Sequence, residues 1–265
     1  MPDLRYHLIS LISVFLALAI GILLGVAMAD RGVVSDRMQA EITSIQQQLN
    51  RQQREIGKRD RQIADQEAML ERMSQVVIVD SLQGRYVALV AGPYADPDTY
   101  QAIQGDLSMA GANITSSQRL DPPEISGQGL TTLEATTQLE DNYADVARNV
   151  LGFTGTGEEF PEIVIFVGGG EIPEGAPAGT LRALKSVQRM LFEVWLDAGV
   201  RVIGAEPTKS GRTEVSLFQN VGIPAVVNAD QPAGRAAIIK CATTENCEGT
   251  YGTKYTASEP FPAPS

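Results

Sequence analysis

From Leu8 to Ala29 the chain reads LISLISVFLALAIGILLGVAMA, 22 positions without a charged residue. A helix rises about 1.5 Å per residue, so such a run matches a hydrocarbon core roughly 30 Å thick. This segment constrains the chain more than any other. Apolar on all faces and flanked directly by charge, it fits a soluble core helix poorly. Ala27-Met28-Ala29 has the small-x-small form that precedes a signal cleavage site. The run is nevertheless longer than the roughly 7–15 apolar residues of a signal peptide. It reads as an uncleaved signal anchor. Gly21 and Gly25 form a G-x-x-x-G that lets two such helices approach closely, although glycine is common in membrane helices anyway.

Arg5 precedes the run, and Arg31 and Arg37 follow it beside Asp30 and Asp36. Counting Lys and Arg alone does not favour an outside C-terminus. A short leader followed by a long apolar run is, however, the usual form of an exported protein. The C-terminal portion is therefore expected outside the cytoplasm.

A different periodicity follows. Numbering heptads from Ile42 places Ile42, Leu49, Ile56, Ile63, Leu70 and Val77 at successive a positions. The d positions are Met38, Ile45, Gln52, Arg59, Gln66 and Met73, apolar at both ends and polar between. No proline interrupts Ser35 to Val77, and Ser35 or Asp36 could cap the start. An apolar repeat of seven predicts a coiled-coil stalk about 65 Å long, most simply a parallel dimer because one membrane anchors both chains. The alternative is an amphipathic helix lying on its own globular domain.

From Arg85 the pattern changes to short apolar runs alternating with helical segments. Strands are expected near Tyr86–Val90, Ala112–Ser116, Glu162–Val167, Val200–Ala205 and Pro224–Val227. Helices are expected near residues 97–111, Leu133–Leu151, Thr180–Ala198, Thr213–Val221 and Pro232–Thr243. Apolar strands between helices predict an α/β domain, flavodoxin-like or Rossmann-like, with a mainly parallel sheet of about five strands. The expected organisation is an anchor over 1–30, a stalk over 31–80, an α/β domain over 81–255 and a disordered Pro-rich tail over 256–265.

Charge and composition remove several functions. Residues 81–265 hold 12 Lys+Arg against 22 Asp+Glu, most of the chain's net charge of −11. Such a surface repels a phosphate backbone, so no nucleic-acid partner is expected. The single histidine, His7, precludes multi-histidine metal sites and any Ser-His-Asp or Cys-His arrangement beyond it. No G-x-G-x-x-G follows the first strand, and neither G-x-x-x-x-G-K-[ST] nor G-x-S-x-G occurs. None of these catalytic or nucleotide-binding motifs is present, and no resident cofactor is expected.

Candidate ligand loops remain, because open parallel sheets bind ligands beyond the carboxyl ends of their strands. Those ends carry Gly92 and Pro93, then Gly168, Gly169, Gly170 and Glu171, then Glu206, Lys209, Ser210 and Arg212. The glycine triplet could present N–H groups to an anion, with Lys209 or Arg212 assisting. The alternative is that these glycines only make tight loops. Cys241 and Cys247, six apart, read most simply as a small-loop disulfide in an exported domain. That requires the preceding helix to end near Thr243 or Thr244. The other reading is a weak soft-metal thiolate pair for Cu(I), with only hard oxygen donors, Glu245 and Glu248, nearby.

The opening RYHLISLISVFLALAIGILLG, the heptad stalk directly behind it and the GGGE-bearing α/β domain together resemble the actinobacterial copper transporter family. That group is named for a mycobacterial copper-transport protein of the outer membrane. The resemblance spans almost the whole chain and is sharpest over residues 5–25. It implies a membrane location, no enzymatic activity and a role in copper transport or homeostasis at the cell envelope. It carries no metal-ligand motif to numbered positions. An outer-membrane pore needs at least about eight alternating strands closed into a barrel, whereas the strands here are few, short and fully apolar. A second function class therefore stands beside the first. It is a coiled-coil scaffold for envelope assembly or cell separation, whose α/β head binds an envelope protein or a small ligand.

Overall fold

A computed structural model describes residues 4–29, 33–121, 143–152, 160–172, 174 and 180–263. The chain divides into two compact units, Met1–Asp65 and Gln66–Ser265.

The first unit is helical. Helix α1 (Leu4–Ala29) contains the one described span long and apolar enough to cross a membrane, Tyr6–Met28, with a mean hydropathy of 2.7. Helix α2 (Val33–Ile78) runs 46 residues and ends inside the second unit. The side chains of Ser35 and Asp36, candidate caps, lie outside the described ones. Every a-position residue of α2 is left open, from Val77 at 38% exposure to Ile56 at 58%.

The second unit is a six-stranded, wholly parallel sheet, one strand more than the sequence pattern suggests. Its strands are β1 (Tyr86–Ala91), β2 (Asn113–Arg119), β3 (Ile163–Val167), β4 (Arg201–Ala205), β5 (Ala225–Val226) and β6 (Thr250–Tyr251). They lie in the order β2-β1-β3-β4-β5-β6, and each neighbouring pair is parallel. The first five strands thus follow the flavodoxin-like order, whose direction of winding reverses between β1 and β3.

Alternate residues of each strand enter different cores, as period two requires. Val87, Leu89, Ile163, Ile165 and Val167 join the core covered by α3 (Pro97–Met109), α7 (Pro232–Thr243) and the end of α2. Ala88, Val90, Val164 and Phe166 join the core covered by α4 (143–150), α5 (Thr180–Asp197) and α6 (Val215–Asn220). Residues 133–142 of the expected fourth helix lie outside the described residues. Burial on both faces explains why these strands read as continuous apolar runs.

The ends of helices α3 and α7 have local causes. Asp96 caps α3, accepting from the Thr99 N–H at 2.9 Å, with Pro97 at the first turn. Helix α7 stops at Thr244, whose extended backbone turns the chain away. Arg201 donates to the carbonyl oxygens of Thr244 and Ala242 at 2.8 and 2.7 Å, satisfying groups the helix leaves orphaned. That turn brings Cys247 back to Cys241, and the two form a disulfide with Cα atoms 5.3 Å apart. Residues 256–263, expected to be disordered, lie against the sheet. Glu259 bridges in parallel to Tyr251, Ser258 Oγ donates to the Thr250 carbonyl, and Phe261 packs on the first core. These contacts complete the side of the short edge strand β6.

Candidate functional site

The switch point between β1 and β3 lies where Gly92 leaves one strand and Gly168-Gly169-Gly170 leaves the other. The three glycines are forced by what packs on them. A Cβ on Gly168 would stand 2.0 Å from Glu214 Oε2, and one on Gly170 would stand 1.7 Å from the Tyr94 carbonyl oxygen. Gly169 and Gly170 also take φ values of +82° and +92°, a region that side chains with a Cβ disfavour.

The N–H groups of the triplet are taken up by acceptors of the chain itself. The Gly169 N–H donates to Glu214 Oε2 at 3.3 Å, and the Gly170 N–H donates to Ser210 Oγ at 3.1 Å. The Gly168 N–H is spent on the Ala205 carbonyl at 2.7 Å. None of the three is left for an external anion. Glu214 stands at the N-cap of α6 but makes no cap bond there, because its carboxylate turns into the glycine loop instead.

Two fully buried carboxylates face cations across this end of the sheet. Glu214 accepts from Gln188 Nε2 at 3.1 Å and pairs with Arg212 Nη2, whose side chain is only 8% exposed. Burial pushes the Glu214 carboxyl above its ordinary value, against the pull of Arg212, Gln188 and the Gly169 N–H. Glu206 accepts from Lys254 Nζ at 3.0 Å, from Thr213 Oγ1 and from the Glu214 N–H at 2.9 Å. Beside it, Asp230 accepts from the N–H and hydroxyl of Thr208. Burial raises the Asp230 pKa, but those bonds outweigh it and hold the carboxyl below its ordinary value.

The structure therefore brings Gly168, Gly169, Gly170, Glu206, Ser210 and Arg212 together. Lys209 is exposed, with no hydrogen bond or ion pair to a described residue, and Glu171 is exposed beside Gly211. Glu214, Gln188, Tyr94, Tyr143 and Lys254 were not legible as site residues. Gln188 carried one signal: it is a polar residue in the stripe Leu184, Val187, Leu191, Trp195, which is otherwise buried and apolar. A polar group there demands a polar partner.

Part of the cluster has no partner. Arg212 spends Nη2 on Glu214 and on the Gly169 carbonyl, while its Nε and Nη1 are buried and bond to no described residue. The hydroxyls of Tyr94 and Tyr143 are in the same state, as is Gln188 Oε1. Each such group costs about 1–3 kcal/mol, more where it is charged. The Arg212 guanidinium carbon stands 5.9 Å from the centroid of the Tyr94 ring, within cation–π range.

Residues 1–147, more than half the chain, match the family described as "Copper transport outer membrane protein, MctB". The chain belongs to this family. The match covers the helical first unit and runs into α4, so the expected resemblance holds over that stretch. No curated protein matches the chain. The description brings copper transport at the outer membrane with it, and the donors present can be compared with that cargo. Cu(I) prefers thiolate and thioether ligands. The two cysteines are spent on each other, and among the described residues no group of three or more His, Cys, Asp or Glu converges. The two cysteines, paired as a disulfide, therefore offer Cu(I) no free thiolate.

Proposed function

We propose that this chain is a membrane-anchored, self-associating scaffold that serves copper handling at the cell envelope without carrying copper on its own residues and without catalysing a reaction. In this reading α1 crosses the membrane once as an uncleaved anchor. Helix α2 pairs with a second copy as a parallel coiled coil. The α/β head stands outside the cytoplasm and meets a ligand or an envelope protein there.

One observation carries the proposal. Six apolar residues, Ile42 to Val77 at a spacing of seven, are all exposed on α2. A helix whose apolar stripe is left uncovered by the described residues gains stability by finding cover in a second copy. Two chains held in one membrane already have the alignment that a parallel pair needs. Sedimentation of the full chain in detergent should give a dimer or larger. A strict monomer at high micromolar concentration defeats the reading.

Direct copper carriage is the second reading, and the family description favours it. A competitive Cu(I) chelator assay on the full chain, isolated without reductant, separates the two. The scaffold reading expects no tight binding and no free thiol. Stoichiometric binding that disappears in Cys241→Ser with Cys247→Ser restores direct metal handling.

A further inference from the structure

Charge along α2 is sorted by heptad position. The e and g positions, which flank the apolar stripe, carry Glu41, Glu55, Asp60 and Glu67 and no base. The bases Arg51, Arg54, Lys58, Arg61 and Arg72 fall at c or f, on the face away from the stripe. Arg59 is the exception. It stands at d, inside the stripe, between Ile56 and Ile63. Glu55, Arg59 and Asp60 are all exposed, and none makes an ion pair with a described residue. A cation in an apolar seam weakens that seam unless a carboxylate on the opposite helix answers it.

We propose that a second copy of this chain docks on α2 in exact register, so that Arg59 of each copy meets Asp60 of the other. In a parallel pair a d side chain enters a hole of four residues, here Ile56, Arg59, Asp60 and Ile63 of the second copy. The Arg59 stem lines the seam, and its guanidinium reaches out to the flanking carboxylate. The same alignment sets each g residue beside an e residue of the next heptad. Along α2 that makes one pair in which both members are charged, Glu55 with Asp60, and the two charges are alike. Arg59 stands in that layer and supplies the counter-charge the pair lacks. Sliding one copy by a heptad breaks the match. One Arg59 then faces Glu67, while the other faces Gln53 and has no carboxylate. A foreign helix with basic flanks would satisfy Glu55 and Asp60 but set Arg59 against its own charge. The in-register second copy satisfies all three residues on both sides.

The inference rests on the scaffold reading and fails separately from it. Sedimentation and cysteine cross-linking of the full chain in detergent provide the test. Chains carrying Leu49→Cys and chains carrying Ile56→Cys are mixed and equilibrated in a thiol–disulfide buffer. In register, each variant joins only its own kind. A slip of one heptad, about 10 Å along the helix, joins Leu49→Cys to Ile56→Cys instead. With Arg59 present the product should be like pairs alone. Arg59→Leu should associate at least as tightly but yield the mixed product, because the layer that fixes register is gone. Arg59→Glu leaves only carboxylates in that layer and should weaken association about tenfold or more. Adding Glu55→Lys and Asp60→Lys to Arg59→Glu reverses every charge of the cluster and should restore association. The three residues are exposed, so the head should keep its melting temperature in every variant. Mixed product with Arg59 present, like pairs alone in Arg59→Leu, or undiminished association of Arg59→Glu overturns the inference and leaves the scaffold reading standing. So does a triple variant that stays dissociated. A parent that is strictly monomeric overturns both.

Discussion

The two units of this chain solve opposite problems. In Gln66–Ser265 the apolar residues are spent inside, on two cores that sandwich a parallel sheet. In Met1–Asp65 they are spent outside. The described side chains of α1 are all exposed, and so are Ile42, Ile45, Leu49, Ile56 and Ile63 on α2. Exposed apolar surface on that scale is not a property of a chain alone in water. The difference separates what the head supplies for itself from what, in the proposed reading, the first unit receives from lipid and from a second copy. Breaking each supply should have a different size of effect.

Removing the lipid partner should have the largest. Deleting residues 4–29 should move essentially all of the protein from the carbonate-resistant membrane fraction to the soluble one. The parent should keep its N-terminal helix in the membrane, with Met1 retained or only the initiator trimmed. A mature chain beginning at Asp30 would instead make the apolar run a removed signal, and the comparison would then rest on α2 alone.

Removing the second-copy partner comes next. Ile56→Asp with Ile63→Asp puts two carboxylates into the proposed seam, where desolvating each charge costs several kcal/mol in order of magnitude. Sedimentation should show dissociation, while the head keeps its melting temperature. If both forms sediment alike, the stripe on α2 is not the interface.

The contrast between units also explains what could be read in advance. Helix α7 was legible at both ends, because Pro232 can only begin a helix and the Cys241–Cys247 spacing demands that it stop. Strands β1 and β3 were legible because burial on both faces leaves an unbroken apolar run. Strand β6 was not, since Thr250 and Tyr251 form two residues held by position beside β5 rather than by any pattern of their own. The site was half legible. The glycine triplet left open a loop that offers N–H groups or only a tight turn, and sequence spacing cannot say that one of those N–H groups meets Glu214, 44–46 residues further on and next to a helix start.

Inside the head, the Arg212–Glu214 pair is the next thing to break. Arg212→Gln leaves Glu214 buried without its counter-charge, which should cost about 3–5 kcal/mol at neutral pH. The pH dependence has a definite sign. Burial raises the Glu214 pKa above the ordinary 4.5, so the folded chain holds that proton more tightly than the unfolded one. Its stability contribution is full below the ordinary carboxylate pKa and is lost as pH rises through the folded value. The parent should therefore lose stability on going from mild acid towards neutrality, Arg212→Gln should lose more, and Glu214→Gln should lack this slope. Denaturant melts across that window measure all three, and a parent that instead gains stability through this group would mean that Arg212 outweighs burial.

The smallest effect is expected at the disulfide, where the two units' strategies meet the question of copper. Cys241 is buried at the end of α7, and the loop to Cys247 spans six residues of separation. Closing so short a loop removes little unfolded-state entropy, about 2 kcal/mol at 25 °C in the chain-entropy account. Cys241→Ala with Cys247→Ala should lower the head's stability by about that much and no more. The end of α7 is held independently by the Arg201 bonds to Ala242 and Thr244. Reduction of the parent should have the same thermal effect but a different chemical one, because it creates two thiols six residues apart that a soft metal can share. Melting the reduced chain with and without Cu(I) separates these consequences. Restored stability on adding Cu(I) to the reduced parent, absent in the double alanine, would make the pair a redox-dependent copper ligand. If Cu(I) leaves both unchanged, the bond is a staple for a helix end, and copper handling by this chain runs through its partners.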